Sequence, residues 1–502
     1  MGLNKVYFHS LRFMVFFPVV LLVQYLLPKK VRYLWLLIAS YFFYMCWNPA
    51  YGLLLLGVTG ITYLCGLLVF RGKTQKIKKG FVTLGFACSL GILAYFKYWP
   101  FLSENMNRLF GMLKISAQVP VFDVLLPVGI SFYTFQALGY LMDVYRGKID
   151  AERNFCRYAL FVSFFPQLMS GPITRAPKML PQILEPKPFH FDRMRKGLLL
   201  MLWGLFLKLV IADRAAIFVN AVYGDPLNHA GLTMVVAMLF FTLQIYCDFA
   251  GYSATAIGAA QVLGFELGIN FRQPYLAVSV SDFWRRWHIS LSSWFRDYLY
   301  IPMGGSRKGA FRKYLNIMVT FLVSGLWHGA SWNFIIWGGI NGLAQVLGDL
   351  RNKLAARLGT QKWLDFFTSK EREKPFSAKL LSIMITFVII NVTWVFFRAP
   401  SAEAAMLILQ RAVMVFNPWV LVDGSLYQLG IAQAEFSMLL MAIGLMAVVD
   451  VLHERGFSFR DSLLKQQLWF RWTVYLLMIF AVLLLGIYGP AMDASAFIYV
   501  QF

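Results

Sequence analysis

Residues 314–333 read YLNIMVTFLVSGLWHGASWN. From Leu315 to Trp332 the only side chain that changes charge near neutral pH is His328. About 20 mostly apolar residues wound as an α-helix reach across a bilayer core, so the stretch predicts a membrane-spanning helix. An ionisable group at that depth costs on the order of 2–3 kcal/mol or more when charged, which makes His328 a functional-site hypothesis by default. The plainer alternative is a neutral histidine bonded to a neighbouring carbonyl and serving only helix packing.

Forty residues earlier, Trp284-Arg285-Arg286-Trp287-His288-Ile289-Ser290-Leu291-Ser292 carries a second histidine among tryptophans. At helical spacing Trp284, His288, Leu291 and Phe295 share one stripe, with Trp287 and Tyr298 beside it and Arg285, Ser292 and Arg296 opposite. That pattern predicts an amphipathic helix over 282–300 lying in the membrane interface, cations toward water. Its tryptophans are explained by the aromatic belt alone. His288, on the apolar face, must either find a polar partner or line a polar cavity.

The surroundings repeat the first stretch. Of 502 residues 59% are hydrophobic and 14% charged, a composition that fits no soluble class. Apolar stretches recur near 11–27, 33–47, 51–70, 81–99, 121–142, 155–170, 197–222, 231–250, 252–269, 314–332, 334–349, 379–397, 435–452 and 472–489. Several are short or broken by Gly and Pro, so 10–13 full crossings are expected, the rest re-entrant or interfacial. The whole of 1–502 reads as one integral-membrane domain. Its first stretch, with no small-residue cleavage site before Pro28, reads as an uncleaved span. Trp47-Asn48-Pro49 predicts a tight hairpin turn, because Asn favours turns and Pro ends a helix.

The net charge of +23 sits in short loops, the positive-inside pattern, and does not indicate nucleic acid. Residues 71–79 hold five Lys/Arg and no acid, 282–313 hold seven against two, and 351–379 hold eight against three. These loops, 351–379 included, are expected to be cytoplasmic, and 490–502 to be an extracytoplasmic C-terminal tail. The five cysteines stand singly, without CxxC, Cys/His ligand spacing or HExxH, so neither a disulfide framework nor a metal site is predicted. A P-loop and a GxGxxG turn before a helix are both missing from the sequence.

Two longer blocks complete the pattern: Trp294-Phe295-Arg296-Asp297-Tyr298-Leu299-Tyr300-Ile301-Pro302-Met303-Gly304-Gly305, and Ser324-Gly325-Leu326-Trp327-His328-Gly329. With the Trp-Arg-Arg-Trp-His block they resemble the membrane-bound O-acyltransferase (MBOAT) family, in particular the bacterial branch that O-acetylates alginate and peptidoglycan. Leu126-Pro127-Val128-Gly129-Ile130-Ser131, Ser170-Gly171-Pro172 and the terminal Phe497-Ile498-Tyr499-Val500-Gln501-Phe502 fit the same branch. Ala254-Thr255 departs from it where an acid follows Gly-Tyr-Ser, which leaves Asp248 or no residue in that acid's role.

The resemblance implies an all-α bundle around a central tunnel, His328 as catalytic base and His288 as the second site histidine. It also implies acetyl-CoA as donor substrate, no bound cofactor or metal, Tyr499 as an acyl relay, and a separate SGNH/GDSL-type extracytoplasmic partner. The setting would be the bacterial cytoplasmic (inner) membrane, with lipid as the surrounding partner. The chemistry agrees: acyl transfer from a thioester to a hydroxyl needs a neutral imidazole to take the hydroxyl proton, help worth about 10²–10⁴ in rate. The developing oxyanion needs a donor, for which His288, Asn333 and a tryptophan indole are candidates. Trp284, Trp287, Trp327, Asn333 and Asp248 are the expected tunnel-lining residues. Two other readings remain open: D-alanyl transfer to teichoic acid from a carrier-protein thioester, and a transporter or export channel.

Overall fold

The computed structural model describes residues 6–122, 126–359 and 375–488, which are helical with no β-strand among them. The chain is an all-α polytopic membrane protein. Six helices among the described residues are long and apolar enough to span: Pro49–Arg71, Gln75–Met112, Leu232–Val262, Phe376–Arg398, Gln433–Glu454 and Leu468–Leu485. That is fewer than the apolar stretches suggest, for two reasons. The stretches 231–250 and 252–269 are one unbroken helix of 31 residues, about 46 Å at 1.5 Å per residue. Conversely, 155–170 breaks at Phe164 into helices of nine and four residues, too short to cross.

The chain divides into two compact units, Met1–Met201 with Ser253–Gly268, and Leu202–Tyr252 with Ile269–Phe502. The first contains α1 (Leu11–Leu26), α2 (Arg32–Met45), α3 (Pro49–Arg71), α4 (Gln75–Met112), α5 (Ile130–Tyr145), α6 (Phe155–Ser163) and α7 (Ala176–Leu184). The α2–α3 hairpin turns as the sequence predicts: Asn48 Oδ1 accepts from the Ala50 N–H at 3.0 Å and Pro49 opens α3. α5 is buried nearly all round. It starts at Gly129, which is left-handed (φ +76°), and a Cβ there would lie 2.5 Å from the Leu168 carbonyl oxygen, so only glycine fits. Ser40 Oγ donates to the Leu36 carbonyl and accepts from the Phe165 N–H, closing the break at Phe164.

Two of the three unit boundaries fall inside α8 (Phe191–Leu205) and α10 (Leu232–Val262), the third after Gly268. Between these helices a π-turn, Phe206–Ala212, leads into α9 (Asp213–Gly224). Further π-turns occur at Ala94–Tyr98 and Arg296–Tyr300. The second unit continues with α11 (Val280–Arg286), α12 (Ile289–Phe295), α13 (Gly309–His328), α14 (Trp332–Arg357), α15 (Phe376–Arg398), α16 (Ala402–Met414), α17 (Gln433–Glu454) and α18 (Leu468–Leu485). Residues 351–357 therefore extend α14, and 376–379 open α15, so the expected loop is shorter than 351–379; its centre, 360–374, lies outside the described residues.

Lipid is as apolar as leucine, so close packing and hydrogen bonds hold such helices together. α13 and α14 meet through glycines: a Cβ on Gly325 would lie 2.1 Å from the Phe334 carbonyl oxygen, and one on Gly338 2.3 Å from that of Phe321. In the same unit Lys208 Nζ bridges Asp213 (2.8 Å) and Asp248 (2.6 Å), all three side chains buried.

Candidate active site

The predicted amphipathic helix over 282–300 is in fact broken at His288. α11 ends at Arg286, His288 takes a left-handed conformation (φ +43°, ψ +53°), and α12 starts at Ile289. A non-glycine residue in that region costs roughly 1–2 kcal/mol and persists only where its surroundings over-determine it. Here residues 270–272 run alongside: the Arg272 N–H donates to the Arg286 carbonyl (3.0 Å) and the Ile289 N–H to the Asn270 carbonyl (2.9 Å). The break also corrects the expected faces. Arg285, Ser292 and Arg296 line the same cavity as Trp284, His288 and Leu291, where an unbroken helix would have put them on opposite sides.

His328 is the last residue of α13, held there by glycines on both sides. Gly329 must lack a side chain, because a Cβ would lie 2.1 Å from the Phe334 ring. The His328 ring stands edge-on to Trp327 (5.0 Å), Trp337 (5.1 Å) and Phe397 (5.3 Å). His288 stands edge-on to Phe249 (4.6 Å) and to Trp327 (5.9 Å), so one indole lies against both histidines. Both are nearly fully buried, 1% and 4% exposed. Burial pushes the His288 imidazole down to about 3, which keeps it neutral at physiological pH.

Both histidines line one cavity of about 390 Å³. Trp284 lines it too, its indole N–H donating to Asn341 Oδ1 at 3.2 Å, while the Asn341 amide donates to the Trp337 carbonyl at 2.9 Å. Beneath lies a stack of tryptophans: Trp337 on Trp394 (5.7 Å, nearly parallel) and Trp394 on Trp287 (4.9 Å). A second cavity of about 1090 Å³ shares Ser281, Arg285, Ile317 and Gln345 with the first and adds Arg351 together with Lys313, the latter paired with Asp349 of the same lining at 2.6 Å.

Of the expected lining residues, Trp284 lines the histidine cavity and Trp327 touches both histidines. Trp287 belongs instead to the stack beneath. Asn333 turns away, its amide donating to the Ala399 carbonyl at 2.7 Å, and Asp248 is committed to Lys208. Neither lies among the residues lining the histidine cavity. Tyr499 falls outside the described residues. Sequence reading missed Ser324, one turn before His328 on the same helix face, which the i, i+4 spacing signals. It also missed Asn341, whose pairing with Trp284 across 57 residues has no local signal.

A model of the membrane-bound O-acyltransferase family matches residues 150–369, which include both histidines. A probable alginate O-acetylase of Pseudomonas putida is 37% identical over 408 residues, 81% of this chain and 80% of the relative. The chain belongs to the membrane-bound O-acyltransferase family. A peptidoglycan O-acetyltransferase of Helicobacter pylori is 36% identical to this acyltransferase over 414 residues, 77% of this chain and 74% of the relative. A teichoic acid D-alanyltransferase of Bacillus subtilis is 30% identical over 298 residues, 55% and 70% of the two chains.

Proposed function

We propose that this acyltransferase takes acetyl from cytoplasmic acetyl-CoA and passes it across the bacterial cytoplasmic membrane for O-acetylation of an extracytoplasmic polysaccharide. The observation that carries the reading is the pair of buried histidines on one cavity, which shares Arg285 with a larger cavity lined by Arg351. Arg285 and Arg351 suit the phosphates of the donor, and the smaller cavity suits its thioester end.

In the proposed step a hydroxyl attacks the thioester carbonyl while neutral His328 takes its proton. The C–S bond breaks as the C–O bond forms, and the departing thiolate takes up the proton to leave as the thiol of coenzyme A. His288 steadies the developing oxyanion or its leaving group from the other side of Trp327. The hydroxyl is assigned to Tyr499 of the tail, which then hands the acetyl group to a separate SGNH-type enzyme. Support for polysaccharide as acceptor comes from the alginate and peptidoglycan acetylating relatives, which align over more of this chain than the D-alanyltransferase does.

The test is purified protein with isotopically labelled acetyl-CoA, followed by mass spectrometry of the C-terminal peptide. Label on Tyr499 that disappears in His328→Ala is expected. A folded protein that acquires label only from an acyl carrier protein would replace the donor by a D-alanyl-type thioester, and an unlabelled Tyr499 with intact polymer acetylation would remove the relay.

A further inference from the structure

Beside the histidine cavity lies a partly buried charge cluster to which the chemistry above gives no task. Arg286, the last residue of α11, donates from Nε to Asp282 Oδ2 at 2.9 Å, one turn back on its own helix. Its two terminal nitrogens reach Glu454 at 2.7 and 3.0 Å, a bidentate pair with the last residue of α17. Asp282 is buried, 2% exposed at the side chain, while Arg286 (14%) and Glu454 (24%) are half-buried, so the cluster is only partly screened by solvent. A guanidinium fork on a carboxylate fixes orientation as well as distance. The main-chain carbonyl of Arg286 is itself held by the Arg272 N–H. Two residues later the chain makes its left-handed turn at His288.

We infer that Arg286 is a positioning residue for His288, with Glu454 as its anchor; the inference rests on the reading of His288 as a site residue. The left-handed turn is strained, and a relaxed chain would continue α11 through 288, carrying the imidazole round to another face. The clamp opposes that relaxation by tying the end of α11 to α17, a helix 168 residues away in sequence. The pair Asn270–Ile289 fixes the other side of the turn. Arg285, the neighbouring cation, cannot substitute, since its side chain is folded onto Ser281 and faces the cavities.

The experiment measures acetyl-CoA turnover in membranes together with thermal unfolding for Arg286→Gln, Glu454→Gln, the double variant and His288→Ala. A displacement near 1 Å costs on the order of 10²-fold in rate. A fall of about ten- to a hundredfold in kcat is therefore expected for each single variant, with KM for acetyl-CoA within about twofold; the melting temperature should fall for Arg286→Gln, which leaves buried Asp282 without its cation, and change little for Glu454→Gln, the most exposed member of the cluster. The double variant should be no worse than Arg286→Gln, because both remove one clamp. His288 should also gain reactivity toward diethyl pyrocarbonate, read by peptide mass spectrometry. Should Arg286→Gln fail to fold, Glu454→Gln decides alone, since it leaves Arg286 paired with Asp282. Unchanged kcat in folded variants, or losses that track only melting temperature, overturn the inference. Full turnover in His288→Ala would overturn it and the assignment of His288 together.

Discussion

Replacing Gly325 with alanine should separate α13 from α14 and displace His328. In the present packing the new Cβ would stand 2.1 Å from the Phe334 carbonyl oxygen, whereas ordinary contact begins near 3.4 Å. The helices must therefore open by about 1.3 Å, and the obstacle is backbone that cannot swing aside. Overpacking of that kind costs typically 1–3 kcal/mol. His328 lies three residues along the same helix, so it shifts with it, and a misplacement near 1 Å is worth on the order of 10²-fold in rate. Gly444 on α17 is the matched control, because nothing lies within 4 Å of its added Cβ and it lines neither cavity. There alanine should be neutral or stabilise by up to about 1 kcal/mol through helix propensity. Thermal unfolding in detergent and acetyl-CoA turnover, measured on both variants, provide the check. Equal stability and equal turnover for Gly325→Ala and Gly444→Ala would refute the argument that glycine contact sets the position of His328.

Three further outcomes are expected. His288 is neutral and buried when folded, so its unfolded form binds the proton more readily; stability should fall by up to about 1.4 kcal/mol per pH unit as pH drops from roughly 6.5 toward 3. A His288→Gln variant should show a flatter unfolding profile across that window. Lys208→Met leaves the buried carboxylates of Asp213 and Asp248 without their shared cation, and should cost about 3–5 kcal/mol by thermal unfolding; a loss under 1 kcal/mol would make the triad dispensable. Arg285→Gln with Arg351→Gln should raise KM for acetyl-CoA at least severalfold while leaving turnover of acetyl-N-acetylcysteamine, which lacks the nucleotide, unchanged; a parallel loss on both donors would disconnect the larger cavity from phosphate binding.

The membrane class and the two histidines were legible because each is a local contrast: long apolar runs against polar loops, and an imidazole against tryptophan and leucine. The turn before α3 was legible for the same reason, since Asn48 and Pro49 act on their immediate neighbours. What escaped reading depends on partners far along the chain. The break at His288 is enforced by Asn270, Arg272 and Glu454, while the local pattern is that of an unbroken amphipathic helix. The pairing of Asp248 with Lys208, 40 residues away on a π-turn, likewise has no sequence signature. The stretch after 250 continues the helix before it, through Gly251. Its missing side chain admits the Gly204 carbonyl oxygen, which would lie 2.6 Å from a Cβ there.

The three π-turns described above each bring a cationic side chain into the wound backbone: Lys97, Lys208 and Arg296. A π-turn accommodates one residue more than an α-turn, and an α-helix advances about 100° per residue. Each therefore works as a phase shifter, setting the helical face that follows it out of step with the face before it. Removing one residue from Phe206–Ala212 would restore an even winding and rotate Asp213 through roughly 100° relative to α8. Substitutions within these turns preserve the phase and deletions do not, so the chain should accept many changes of letter there and hardly any change of length.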